Sequence, residues 1–142
     1  MKNISMLYPV FALAGWTFLV LIYMAYKRIA GGVRQGRVKP GDFRYGESAA
    51  VPPDIALPNR NYMNLLELPV LFYVVCLLIF SAGIVSSTMV TLAWCYVGLR
   101  VVHSLIHIGY NNVLHRLIAF ASSNFVLAAL WVMAALGLSA IS

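Results

Sequence analysis

The sequence predicts an all-α integral membrane protein, a bundle of four transmembrane helices in one domain over residues 1–142. Hydrophobic residues make up 62% of the chain and charged residues only 10%. The mean hydropathy is +0.85, and a soluble domain of this length cannot hide so much apolar surface. Three long stretches, 3–26, 68–99 and 117–142, contain no Asp, Glu, Lys or Arg. Lipid is therefore the expected solvent.

The charge-free stretches divide into helices of bilayer-spanning length. About 20 helical residues cross the hydrocarbon core, so the first and third stretches are one span each. The middle stretch is too long for one span and breaks at the small and polar segment 81–88, SAGIVSST. Because Arg100 lies beyond this stretch, its second helix must continue to about residue 108. The predicted helices cover about 5–26, 62–82, 88–109 and 115–138, with a loop at 27–61.

The distribution of basic residues predicts the orientation in the membrane. Seven of the ten basic residues lie in segment 27–60, so this loop and the connection 109–116 are expected on the cytoplasmic side. Both termini then lie away from the cytoplasm. Topology accounts for the net charge of +6, and the predicted partner is a lipid bilayer, not nucleic acid. The loop is either a basic surface that contacts anionic headgroups or a segment that folds over a cytoplasmic mouth.

Two predicted helices carry polar stripes on one face. The second helix has polar residues at i, i+4 and i+7, namely Arg60, Asn64 and Glu67. The third has them at i, i+3, i+7 and i+10, namely Arg100, His103, His107 and Tyr110. Residues at these spacings share a helix face. Each stripe is therefore expected to face the bundle or a ligand rather than lipid.

Glu67 and Arg100 are expected to form an ion pair between the second and third helices. With a rise of 1.5 Å per residue, Glu67 lies ~10 Å from Arg60 and Arg100 lies ~13 Å from the cytoplasmic end of its helix. The two charges thus share a depth, and an unpaired charge there costs at least ~2.5–3.5 kcal/mol. The pair alone could simply fix the register of the two helices.

A larger cluster of polar residues favours a ligand pocket over an ion pair that only fixes the register of two helices. Many hydrogen-bonding side chains are expected around the same cytoplasmic mouth: Arg60, Asn64, His103, His107, Tyr110, His115 and Arg116. Such a set suits a charged small molecule. A metal site is not predicted, because the histidines have no nearby Cys or second acid. A proton relay or transporter through Glu67 and the histidines is a further alternative, but the apolar outer half of the helices argues against a continuous path.

Three separate elements resemble the MAPEG superfamily, the membrane-associated proteins of eicosanoid and glutathione metabolism. The pattern Arg60-x-x-x-Asn64-x-x-Glu67, followed by Pro69, resembles the second-helix signature of that superfamily. The stretch RVVH at 100–103, with Arg116 sixteen residues after Arg100, resembles its third helix and the start of its fourth. The resemblance covers nearly the whole chain. Within the superfamily, the chain resembles a bacterial-type branch and the microsomal glutathione S-transferases.

The resemblance implies an assembly, a cosubstrate and residue roles. Members are four-helix protomers that assemble as homotrimers, and the glutathione-using members bind the tripeptide between adjacent subunits near the cytoplasmic side. The resemblance implies that glutathione is held by Arg60, Asn64 and Glu67, with support from Arg100 and His103. His107 and Tyr110, on the same stripe of the third helix, are further candidate glutathione-binding residues. Arg116 would face the thiol as the catalytic residue. The implied location is the bacterial inner membrane.

The resulting functional prediction is a glutathione-dependent membrane transferase or peroxidase. Its substrates would be lipophilic electrophiles or hydroperoxides, as in detoxification. A guanidinium beside the thiol favours the thiolate, which is the nucleophilic form. The alternative is a membrane protein that keeps the MAPEG scaffold without catalysis and binds a small anionic or lipid-like ligand.

Overall fold

The computed structural model describes residues 4–140, and helices form its regular structure. The five α-helices are α1 (Leu7–Arg28), α2 (Pro53–Leu66), α3 (Pro69–Ala82), α4 (Ser87–Ile108) and α5 (Val113–Ser139). A short 3₁₀ turn, Ile4–Met6, precedes α1, and a π-helical turn, Ile29–Val33, extends it. A second 3₁₀ turn, Pro40–Phe43, lies within the connection between α1 and α2.

Four helical segments are long and apolar enough to cross a membrane. They are Ile4–Val33, Pro53–Ala82, Ser87–Ile108 and Val113–Ser139. Large apolar side chains project outward from them, such as Phe11 and Phe18 on α1 and Phe125 on α5. Exposed apolar side chains are compatible with lipid, which is as apolar as they are. The prediction of an all-helical membrane bundle with four spans is confirmed.

The second helix starts earlier in the chain than predicted. It begins at Pro53 instead of near residue 62, and the connection that was expected at 27–61 is reduced to residues 34–52. Pro53 occupies the first helical position, where the missing N–H of proline has no cost. The additional turns bury Ile55 and Ala56 against Val38 and Val51 of the connection. This packing stabilises the additional helical turns, although their charged residues and prolines are typical of a loop.

The same span is also interrupted, at Glu67 and Leu68. The backbone of Glu67 has φ −84° and ψ −101°, outside the helical region, and α3 begins at Pro69. A proline inside a helix removes one hydrogen bond, and its ring clashes with the carbonyl four residues earlier. The break therefore leaves the last carbonyl groups of α2 without helical partners.

The connection 34–52 is tied to the ends of α1 and α2. Arg28 Nη2 lies 3.1 Å from Glu47 Oε1. Asp54 accepts two hydrogen bonds from Arg37, at 3.0 and 2.7 Å, and this contact raises the pKa of Arg37. At Gly32, an added Cβ would lie 2.7 Å from Val38 Cγ2. The connection is thus packed against the ends of α1 and α2.

The central core lies between α1, α3, α4 and α5. It includes Leu13, Phe72, Tyr96 and Leu130, and the rings of Phe72 and Tyr96 stack with centroids 4.6 Å apart. Helices α4 and α5 are joined by the short segment 109–112, where the side chain of Asn112 caps α5 by accepting from two backbone N–H groups. This tight turn places the last turns of α4 beside the first turns of α5.

Candidate functional site

A groove of about 700 Å³ lies between α2, α4 and α5. The break after α2 and the short α4–α5 turn bring the three helix ends together at this position. Six residues that the sequence singled out line the groove: Arg60, Asn64, Glu67, His103, His107 and Arg116. Apolar residues, among them Leu57 and Phe120, complete its wall.

Helix α2 supplies one polar wall of the groove. Arg60 and Glu67 are exposed and Asn64 is half-buried. The side-chain amide of Asn64 donates to the backbone carbonyl of Arg60 at 3.0 Å. The Arg60 guanidinium and the Glu67 carboxylate thus remain accessible from the groove, one of each charge.

Arg100 lies behind this wall, and its contact differs from the expected one. The side chain is 0% exposed, and its Nη2 donates to the backbone carbonyl of Asn64. The guanidinium also lies over the ring of Phe120, with its carbon 5.6 Å from the ring centroid. A cation is stabilised by the partial negative charge at a helix C-terminus. Arg100 therefore caps the end of α2.

The expected ion pair between Glu67 and Arg100 is not formed. The salt bridges within residues 4–140 are Arg28 with Glu47 and Arg37 with Asp54. The physical reason is the helix break, which exposes carbonyl groups to Arg100 and leaves Glu67 outside the helix. Nε and Nη1 of Arg100 are buried and have no hydrogen-bond partner in the described part of the chain. Buried donors usually have one.

The two histidines of α4 face the groove one turn apart. Both are 3% exposed, and their ring centroids are 5.8 Å apart. The Nδ1 atoms of both rings are buried without a hydrogen-bond partner among residues 4–140. His103 lies deeper, with its ring 5.7 Å from that of Phe120. Both imidazoles thus retain unused hydrogen-bonding capacity beside the groove.

Arg116 projects into the groove from the first turns of α5. Its Nη1 donates to the side-chain Oδ1 of Asn111 at 2.8 Å. Asn111 has φ +49°, a left-handed conformation that asparagine adopts more readily than most residues. Sequence reasoning missed Asn111, and the available signal was its position in the turn immediately before α5. The contact fixes the orientation of the guanidinium that was predicted to face a thiol.

A second polar contact that sequence reasoning missed joins α2 to α4. The amide of Asn61 donates to the hydroxyl of Ser104, and both side chains are fully buried. The pair is uncharged and lies between the two polar stripes. It holds the groove wall of α2 against α4.

Tyr110 lies outside the lining of the groove. It is 66% exposed, and its hydroxyl is 3.0 Å from Nδ1 of His115. The structure therefore separates Tyr110 and His115 from the six residues that line the groove.

The charge of the groove favours an anionic ligand. Arg60 and Arg116 line it with one acid, Glu67, and the buried Arg100 adds a third positive charge behind the wall. A cleft with a net positive charge raises the local concentration of anionic ligands. Within residues 4–140, no group of three or more His, Cys, Asp or Glu side chains has an arrangement that could hold a metal ion.

Together these features define a polytopic α-helical membrane protein with a cation-rich, polar groove at one end of its bundle. The model of the MAPEG family matches residues 6–136. The chain therefore belongs to the MAPEG family, as the three sequence elements predicted, and is an integral membrane protein of this glutathione- and eicosanoid-related superfamily. No curated protein and no solved structure matches it significantly.

Proposed function

We propose that the chain is a glutathione-dependent membrane transferase or peroxidase that acts on lipophilic electrophiles or hydroperoxides. The observation that carries this proposal is the groove, where six motif residues from three helices meet. Its volume of about 700 Å³ is in the range of small-molecule sites, roughly 300–1,000 Å³. Family membership supports glutathione as the ligand.

The groove offers partners of both signs for the charged groups of glutathione. Arg60 suits a carboxylate, and Glu67 suits the ammonium group of the same tripeptide. The amide of Asn64 and the imidazole of His103 supply neutral hydrogen bonds. Arg100 contributes its positive charge and holds the end of α2. We assign no ligand contact to Tyr110, because it lies outside the lining of the groove.

Arg116 is the proposed catalytic residue. A free thiol titrates near 8.5, and lowering its pKa by ~2 units requires ~2.7 kcal/mol of differential stabilisation of the thiolate. One charge-assisted hydrogen bond in a partly desolvated groove supplies an energy of this order. The thiolate then attacks an apolar electrophile, or reduces a hydroperoxide, that arrives from the bilayer.

The proposed assembly is a homotrimer in the bacterial inner membrane, with both termini away from the cytoplasm. Arg60 and Glu67 are exposed in the single chain, which leaves one side of the groove for a neighbouring subunit to close. Crosslinking in detergent is expected to give a trimer, and a stable monomer would contradict this arrangement.

Glutathione binding and thiolate formation test the function. Calorimetry on purified protein measures binding, and absorbance at about 240 nm reports the thiolate. We expect wild type to bind glutathione and form thiolate, and Arg116→Gln to bind it without forming thiolate. Arg44→Gln, a charge-matched change at an exposed position of the connection, should behave like wild type.

Two outcomes would contradict the enzyme proposal in different ways. Wild type that does not bind glutathione would exclude it as the ligand. Wild type that binds glutathione but forms no thiolate, and turns over no electrophile or hydroperoxide, would instead support the non-catalytic scaffold.

A further inference from the structure

Arg116, the residue proposed to stabilise the thiolate, is held by a neutral side chain. Its Nη1 donates to Oδ1 of Asn111 at 2.8 Å, and Asn111 also lines the groove. The two residues lie on either side of the start of α5. The contact therefore forms within one chain and does not depend on a neighbouring subunit.

The turn between α4 and α5 presents Asn111 to Arg116. Asn111 has φ +49°, a left-handed conformation that asparagine tolerates better than most residues, and its N–H donates to the carbonyl of Ile106 at 2.8 Å. The next residue, Asn112, caps α5 through its side chain, and its carbonyl accepts from the N–H of Arg116 at 3.0 Å. Asn112 thus fixes the backbone of Arg116, whereas Asn111 fixes its side chain.

The partner of Arg116 differs in charge from the partners of two arginines outside the groove. Arg28 lies 3.1 Å from a carboxylate oxygen of Glu47, and Arg37 donates two hydrogen bonds to the carboxylate of Asp54. A carboxylate beside Arg116 would neutralise it and oppose a second anion there. An amide oxygen accepts a hydrogen bond and leaves the positive charge in place.

We propose that Asn111 is a positioning residue for the thiolate chemistry, an inference that rests on the proposed function. Asn111 fixes the guanidinium of Arg116 in the groove without neutralising its charge. A long arginine side chain loses rotamer freedom when its guanidinium is held in one place. Because the contact restricts the side chain before the thiol ionises, less of this entropy is lost when the guanidinium stabilises the thiolate. The thiol proton leaves to water, and the electron pair of the S–H bond stays on sulfur.

The pH dependence of thiolate formation tests the inference. Thiolate absorbance of the glutathione complex across a pH series gives the acid dissociation constant of the bound thiol. Asn111→Gly removes the amide and keeps a residue that adopts positive φ without strain, and we expect this constant to fall about three- to tenfold. Asn111→Asp keeps an acceptor but adds a negative charge, and the constant should fall about tenfold or more.

Two controls separate positioning from folding and from binding. Asn112→Asp places the same charge at the neighbouring position, where the side chain bonds to the N–H groups of Leu114 and His115 instead of the guanidinium. Aspartate caps helices as well as asparagine does, so this variant should stay much closer to wild type than Asn111→Asp. Calorimetry at a pH where glutathione binds as the thiol should give both Asn111 variants an affinity close to that of wild type.

A double-mutant cycle shows whether Asn111 acts through Arg116. In the Arg116→Gln background, Asn111→Gly should cause no further loss of turnover, because the guanidinium that it positions is already absent. A further loss there would mean that Asn111 acts independently of the arginine, and this would overturn the inference.

The remaining outcomes are also decisive. An unchanged constant in Asn111→Gly overturns the inference and leaves the proposed function intact. A higher constant overturns it as well, because Asn111 would then compete with the sulfur for Arg116. If Asn111→Gly loses helical structure by circular dichroism, a constant for Asn111→Asp equal to that of Asn112→Asp overturns the inference. Absence of glutathione binding or of thiolate in wild type contradicts the proposed function itself.

Discussion

Removal of the charge of Glu67 should leave the stability of the protein nearly unchanged. Depth in the membrane predicts an ion pair with Arg100, but the structure pairs Arg100 with the backbone carbonyl of Asn64 and leaves Glu67 exposed. The substitution Glu67→Gln keeps the size of the side chain and removes only its charge. The effect of this substitution on stability therefore distinguishes the predicted ion pair from the arrangement in the structure.

The two arrangements predict free energies of unfolding that differ by several kcal/mol. Breaking a buried ion pair by removing one partner costs about 3–5 kcal/mol, because it leaves an uncompensated buried charge. An exposed substitution without such a partner changes stability by about 0.5 kcal/mol or less. We therefore expect Glu67→Gln to lie within about 0.5 kcal/mol of wild type, even though glutathione binding should weaken.

The assay is reversible unfolding of the assembled protein in mixed micelles as the fraction of denaturing detergent is increased. Circular dichroism measures the loss of helix. Asp54→Asn is the matched control, because Asp54 forms an exposed two-bond contact with Arg37. Its expected loss is about 0.2–1 kcal/mol, as for other surface pairs. A loss of about 3 kcal/mol or more in Glu67→Gln would refute the reasoning and show that Glu67 is paired in the assembled protein.

Two further predictions are tested by the same unfolding assay. Arg100→Met loses a charge-assisted bond to Asn64 of ~1.5–3 kcal/mol but removes a buried charge that costs ~2.5–3.5 kcal/mol, so the expected net effect lies between ~2 kcal/mol of stabilisation and ~0.5 kcal/mol of destabilisation. A much larger loss of stability means that the unpaired guanidinium donors of Arg100 have partners in the assembly. Gly32→Ala places a Cβ 2.7 Å from Val38 and should destabilise by about 1–3 kcal/mol. Gly31→Ala, whose nearest contact is 3.8 Å away, should be neutral or stabilising; equal effects would contradict the packing.

The four spans were predictable because lipid imposes a simple rule on sequence. Long charge-free stretches and one basic loop define how often the chain crosses the membrane, whatever the side chains pack against. The start of α2 was not predictable in this way. Asp54, Pro58 and Arg60 make segment 53–61 resemble a loop, and the burial of Ile55 by Val38 of the folded connection is a tertiary effect that no local pattern reports.

The faces of the site residues were predictable from helical periodicity, but their partners were not. Spacings of three and four residues put Arg60, Asn64 and Glu67 on one face, and the structure places all three on the groove. Helical periodicity predicts which face of a helix a side chain occupies, but it does not predict which backbone carbonyl groups are free to accept hydrogen bonds. The acceptor for Arg100 is a carbonyl that only a helix break exposes, and Asn111 reaches Arg116 from a left-handed turn.

The break at Pro69 connects the fold to the proposed chemistry. In a continuous helix, Glu67 and Arg100 would share a depth and neutralise one another, and the groove would lose both its acid and the charge behind its wall. Because α2 ends at Leu66, the backbone carbonyl of Asn64 can accept a hydrogen bond from Arg100, and this bond does not cancel the charge of the arginine. Glu67 then stays free for a cationic group of the ligand, while the net positive charge remains available for an anion. The proline thus separates two charges that pattern alone would pair.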